Sequence, residues 1–159
     1  MSILLFGPDS YRRTARLREF VAAFSKKYPA GLVDRFDLET EGEFDRLASF
    51  CQNQSLFSNF KFAVVTNVGE ADKQKTALMK GVSGDKALTL IFIADKKPTK
   101  EYAFLFKEPA TAEEFALPEG RALAAFIETE AKARGAKLSA VDVRSLAASS
   151  GGDTWTIVT

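Results

Sequence analysis

Ile3-Leu4-Leu5-Phe6, Phe62-Ala63-Val64-Val65 and Ala87-Leu88-Thr89-Leu90-Ile91-Phe92-Ile93-Ala94 are nearly unbroken apolar runs of strand length, the pattern of strands covered on both faces. Leu32 to Leu38 alternates in part and reads as a further strand. Between these runs the apolar spacing changes to that of a helix. After the break Gly7-Pro8-Asp9-Ser10, residues Leu17, Phe20, Val21, Phe24 and Tyr28 fall on one stripe, which predicts a helix capped by Asp9 or Ser10 and stopped by Pro29. Thr40 and Glu43 have the spacing of a capping box and open a second helix carrying Phe44, Leu47, Phe50 and Cys51. Asp72 to Lys80 reads as a third helix, and Thr111 to Leu117 as one more strand. Strands that alternate with amphipathic helices predict an α/β fold, a parallel sheet flanked by helices.

Beyond Pro118 the pattern becomes Ala-rich and helical. Leu123, Phe126 and Ile127 share a face and Gly135 stands where a helix ends. Ser139 and Asp142 begin another helix with Val143, Leu146 and Ala147 inward, closed by Gly151-Gly152. Asp153 is placed to cap a third, but the residues that follow are too few for a stable helix. The expected division is an α/β domain over 1–118 and a small helical domain over 119–159, the latter incomplete.

Composition narrows the function classes. The 159 residues, 46% hydrophobic and 27% charged, suit a soluble globular chain with one filled core and a small appendage. A net charge of +1 gives the whole chain no electrostatic case for gripping nucleic acid or an anionic membrane, so any nucleic-acid contact must be local. The absence of histidine excludes histidine-based triads and ordinary zinc sites, and Cys51 alone forms no internal disulfide. The apolar start Met1 to Phe6 lacks a basic flank and is too short for an export signal. No stretch approaches the roughly 20 apolar residues that cross a bilayer, so a cytoplasmic location without a membrane partner is expected.

The first turn sits where a phosphate-binding loop sits in a nucleotide-binding α/β fold. Such a loop needs glycines that let backbone N–H groups cradle phosphates, then a lysine, then a hydroxyl for magnesium. Gly7-Pro8-Asp9-Ser10-Tyr11-Arg12-Arg13-Thr14 keeps Gly7 and Thr14 at the right spacing, but Arg12 replaces the second glycine and Arg13 the lysine. Arg12 brings bulk where the backbone should approach phosphate, and Pro8 deletes a donor. Val64-Val65-Thr66-Asn67 also lacks the carboxylates that would hold magnesium or orient a water. Gly7, Arg12, Arg13 and Thr14 therefore read as a degenerate nucleotide site, with no catalytic residue, cofactor or metal ligand expected. Asp34/Asp37 and Glu113/Glu114 read as solvated surface carboxylates. Lys96-Lys97-Pro98-Thr99-Lys100 and Arg12, Arg13, Arg16 and Arg18 read first as a solvated loop and helix face, with phosphate contact as the rarer alternative.

Gln52-Asn53-Gln54-Ser55-Leu56-Phe57 is a polar run ending in two large apolar side chains at a helix-to-strand corner. Taken alone, Leu56 and Phe57 read as core fillers. Together with Leu4-Leu5-Phe6-Gly7-Pro8-Asp9-Ser10-Tyr11, with Ser55-Leu56-Phe57-Ser58 before Phe62-Ala63-Val64-Val65, and with Gly135-Ala136-Lys137-Leu138-Ser139 followed by Leu146 and Gly151-Gly152-Asp153, the chain resembles the N-terminal part of the delta subunit of bacterial DNA polymerase III, the clamp-loader subunit that opens the sliding clamp.

The resemblance implies a RecA-like, AAA+-like fold with a degenerate nucleotide site, then a helical lid and a collar domain beyond Thr159. It implies that Gln52, Ser55, Leu56 and Phe57 match the family's Gln-x-x-Ser-Leu-Phe clamp-binding element, so that Leu56 and Phe57 stand out as an apolar peg. It implies as partners the sliding clamp (beta subunit), the delta prime and gamma/tau subunits, and primed DNA through the complex. The expected role is non-catalytic, within a holoenzyme that is a DNA-directed DNA polymerase. An atypical ATPase and a purely structural scaffold of the same fold are the alternatives.

Overall fold

In a computed structural model of the chain, residues 1–53, 59–68 and 73–159 are described. Five strands form one parallel sheet: β1 (Ser2–Phe6), β2 (Leu32–Asp37), β3 (Lys61–Thr66), β4 (Leu88–Ala94) and β5 (Thr111–Glu114), in the order β2-β3-β4-β1-β5. Helices α1 (Ser10–Lys27), α2 (Glu43–Gln52) and α3 (Lys73–Val82) make the crossovers that parallel pairing demands. The expected helix at 72–80 thus runs to Val82 in its described part, and the last strand is shorter than Thr111 to Leu117.

Alternation along β1 divides the core. Leu4 and Phe6 face a large cluster with Phe36, Leu47, Phe92 and Tyr102 under α2 and α3, while Ile3 and Leu5 face a second with Leu17, Phe24, Phe62 and Ile91 under α1. A sheet buried on both faces explains why β1, β3 and β4 read as apolar runs. On the edge strand β2, Leu32 and Val33 remain exposed.

Two local expectations change, and one element appears that was not expected. The capping box at Thr40 and Glu43 does not form: Gly42, at φ 81°, precedes α2, and the Glu43 carboxylate is held by the Arg46 guanidinium at 2.7 and 2.8 Å. A charged, two-pronged partner outcompetes a neutral backbone amide. A 3-10 helix, Lys100–Phe106, follows the lysine loop and buries Tyr102 and Leu105. Finally, the chain's last residues do form a helix.

That helix belongs to the second unit, α4 (Gly120–Ala133), α5 (Ala140–Ser150) and α6 (Thr154–Val158), packed around Leu123, Ile127 and Val143. Its ends are well made. Gly135, at φ 75°, closes α4 with Ala136 N–H donating to Ala131 O and Gly135 N–H to Lys132 O. Ser139 and Asp142 cap each other's backbone at the start of α5. Asp153 accepts from the Trp155 and Thr156 N–H groups, and tertiary contacts described below hold α6 where length alone does not.

Candidate functional site

The turn after β1 is shaped by a close approach. Gly7 lies at φ 120°, and a Cβ there would stand 2.5 Å from the backbone oxygen of Phe115, so only glycine fits beside the end of β5. The donors of this turn face inward. Gly7 N–H donates to Ala94 O at 3.1 Å, Asp9 N–H to Phe115 O at 3.0 Å, Arg12 N–H to Asp9 Oδ1 at 3.0 Å, and Arg13 N–H to Asp9 O at 3.1 Å.

Arg13 is 6% exposed. Its guanidinium donates to Gly7 O at 2.5 Å, to Ala94 O at 2.6 Å and to the Asp95 carboxylate, so it ties the end of β1 to the end of β4. Asp9 is wholly buried: Oδ1 caps α1 and accepts the Thr154 hydroxyl at 2.7 Å, while Oδ2 accepts from Arg12 Nε. Arg12 also donates to Ala116 O, and Thr14 sits partly buried on α1. Gly7, Arg12 and Arg13 thus meet at the turn, with Thr14 further along α1 and both arginines engaged by the protein itself.

A cleft of about 750 Å³ runs along the carboxyl ends of β3 and β4, bordered by Arg13, Asn67, Asp95, Lys97 and Tyr102. Two of its polar groups are hydrogen-bonded within the protein: Asn67 Nδ2 donates to Asp37 Oδ1 at 3.0 Å and Tyr102 OH to Val68 O at 2.9 Å. Among the described residues no group of three His, Cys, Asp or Glu side chains is placed to hold a metal. The carboxylates read as solvated surface are in part ion-paired, Glu113 with Arg16 at 2.8 and 2.9 Å and Asp34 with Arg46 at 2.6 Å. These pairs raise the Arg16 pKa through the Glu113 and Glu19 hydrogen bonds, and the Glu43 bond raises that of Arg46.

The second region is the end of α2. Gln52 is exposed on its last turn, and Ser55, Leu56 and Phe57 lie outside the described residues. The helix end is fixed by Lys61, 8% exposed at the start of β3, whose ammonium reaches the carbonyls of Phe50 at 2.6 Å, Cys51 at 3.3 Å and Asn53. A cation on the last carbonyls complements the helix dipole and satisfies acceptors that lack intrahelical donors. Cys51 beside it is no nucleophile, because burial pushes its thiol up to about 11. Sequence reasoning named Gln52 and the cap at Asp9 but missed Lys61 and the bond from Thr154 to Asp9; a lone lysine opening an apolar strand was the available signal for the first, and Thr154 is too distant in sequence from Asp9 to give one.

No family model matches the chain, and no curated protein matches it. Among solved structures it is similar to the DNA clamp loader delta protein of Bacillus subtilis, with 19% identity and a TM-score of 0.62, over 99% of this chain and 50% of that one. It is also similar to a RuvB variant of Thermotoga maritima, with 13% identity and a TM-score of 0.65, over 99% of this chain and 51% of that one. The chain spans about half the length of these proteins. The fold is therefore RecA-like and AAA+-like, a parallel five-stranded sheet flanked by helices. No helix among the described residues is long and apolar enough to cross a membrane.

Proposed function

We propose that the chain is a non-catalytic clamp-binding module of the delta type, in which Gln52, Ser55, Leu56 and Phe57 engage the sliding clamp (beta subunit) in DNA replication. The observation that carries this reading is the Gln-x-x-Ser-Leu-Phe sequence following α2, on a chain whose fold is similar to that of a clamp loader delta protein. Lys61 supports it by giving that sequence a fixed point of departure.

Leu56 and Phe57 enter an apolar pocket on the clamp. Burying two such side chains contributes on the order of 3–6 kcal/mol gross, before association costs. Binding an open or strained ring better than the closed one shifts the clamp toward opening without hydrolysis by this subunit. The turn at Gly7, Arg12, Arg13 and Thr14 is read as a degenerate nucleotide site, supported by donors and guanidinium groups already spent on internal acceptors. Residues 1–118 form the α/β domain and 119–159 the lid. The delta prime and gamma/tau subunits are the assembly partners, primed DNA is reached through the complex, and the location is cytoplasmic.

The test is clamp affinity, by anisotropy or surface plasmon resonance, for wild type and the Leu56→Ala/Phe57→Ala double variant. A loss of about 100-fold or more is expected with the circular dichroism spectrum unchanged. Equal affinity for the two proteins defeats the proposal. Hydrolysis of ATP, or nucleotide-dependent thermal stabilisation lost on changing Arg13 and Thr14, would instead point to an atypical ATPase.

A further inference from the structure

In a nucleotide-binding fold the first turn of α1 is where phosphate would satisfy the unpaired N–H groups and favourably meet the helix dipole. Here a carboxylate of the chain itself is held there. Asp9, wholly buried, caps α1 and accepts the hydroxyl of Thr154, a residue 1% exposed at the start of α6. Next to it Trp155 Nε1 donates to Ser10 Oγ at 2.8 Å, and the Trp155 ring stands edge-on to Tyr11 with centroids 5.1 Å apart. Tyr11 in turn meets Phe126 of α4 at 5.9 Å and donates its hydroxyl to Glu130 Oε2 at 2.9 Å.

Three consecutive residues thus hold the helical unit, Asp9 and Ser10 at the start of α6 and Tyr11 at both α6 and α4. We propose that they form, with Thr154, Trp155 and Glu130, an internal clasp that fixes the helical unit on the first turn of α1 in the absence of nucleotide and makes its position indifferent to nucleotide.

Two physical features make the clasp an all-or-none device. A five-residue helix does not persist by itself, so α6 exists as a helix only while docked. The Asp9 carboxylate is wholly buried while α6 is docked, so removing the Thr154 hydroxyl with α6 in place leaves that acceptor one donor short. The clasp lies after the carboxyl end of β1, whereas α2 ends at the start of β3, at the other end of the parallel strands.

Trp155, the single tryptophan of the chain, reports on it directly. Thr154→Val keeps the side-chain shape and leaves Asp9 its bond to Arg12 N–H. Ser10→Ala is the milder variant and removes only the indole's acceptor. In both, amide exchange of residues 154–158 and acrylamide quenching of Trp155 should rise, by about tenfold in exchange for Thr154→Val, with exchange of β1 and β4 unchanged. In the wild type, addition of Mg-ATP leaves Trp155 emission and the exchange of 154–158 where they were. A Trp155 or 154–158 response to Mg-ATP in the wild type overturns the proposal, and so do wild-type exchange and quenching in both variants.

Discussion

The sheet unit and the helical unit are stabilised in different ways. Among the described residues, the largest of the fully buried side chains, from Leu4 through Phe36 and Phe92 to Leu105, lie in the sheet unit, which fills both faces of its parallel strands. The helical unit buries only Leu123, Ile127 and Val143 among its apolar residues and relies on made ends: the Gly135 closure, the Ser139–Asp142 box, the Asp153 cap and the grip of residues 9–11. Apolar area removed from water carries the first unit; directional hydrogen bonds and docking carry the second. Such a pairing predicts unfolding in two steps, the helical unit first.

The largest expected effect tests the sheet unit. Phe92 is fully buried at the centre of β4, between β3 and β1, and Phe92→Ala should cost about 3–5 kcal/mol by removing the ring and leaving a cavity. Urea unfolding followed by circular dichroism should show the main transition moving by that amount, with the helical unit lost along with its platform. A loss under about 1 kcal/mol would mean that the two-faced core is not what holds the sheet.

Ile127→Ala probes the other side. Ile127 is 1% exposed in the small cluster between α4 and α5, and its truncation should cost about 2–3 kcal/mol because so few neighbours can close the gap. The expected signature is local: faster amide exchange across α4, α5 and α6, with β1, β3 and β4 still protected. Uniform loss of protection in both units would erase the distinction between them.

The sheet unit is the part most legible from the chain, for the same reason that it is the more robust. Period and apolar content at Ile3 to Phe6, Phe62 to Val65 and Leu88 to Ala94 are properties of neighbouring residues, and burial on two faces writes them strongly. The helix caps at Asp9 and Ser139 were legible likewise, being contacts within a few residues. The missed features depend on distant partners. Helix α6 is held by residues 145 positions away, Arg13 by the last carbonyl of β4, and Gly7 is required by the backbone of Phe115. Glu43 fits the capping pattern but meets Arg46, one turn on, which the pattern does not weigh. At the candidate site the sequence Gln52 to Phe57 is its own signal, whereas the lysine that fixes its start shows in the sequence only as a lone charge opening an apolar strand, and its carbonyl partners appear only once β3 is laid beside the end of α2.

The smallest effect sharpens the contrast through pH. Burial is the main cause that raises the Cys51 thiol from 9.0 to about 11; the Lys61 ammonium opposes it and Asp85 adds to it. The folded sheet unit therefore keeps the thiol proton more tightly than the unfolded chain does. Its contribution is fully present below about pH 9 and is lost as pH climbs through about 11. The Met1 amino group, lowered from 8.0 by burial, acts in the opposite sense and is nearly complete by about pH 9. Urea midpoints should thus fall between pH 9 and 11 in the wild type and fall less steeply in Cys51→Ala. Amide protection of α4 and α5, a unit without cysteine, should show no difference between the two proteins. Equal slopes in wild type and Cys51→Ala would remove the thiol from the account, and a matching step in α4 and α5 would show that the two units unfold as one.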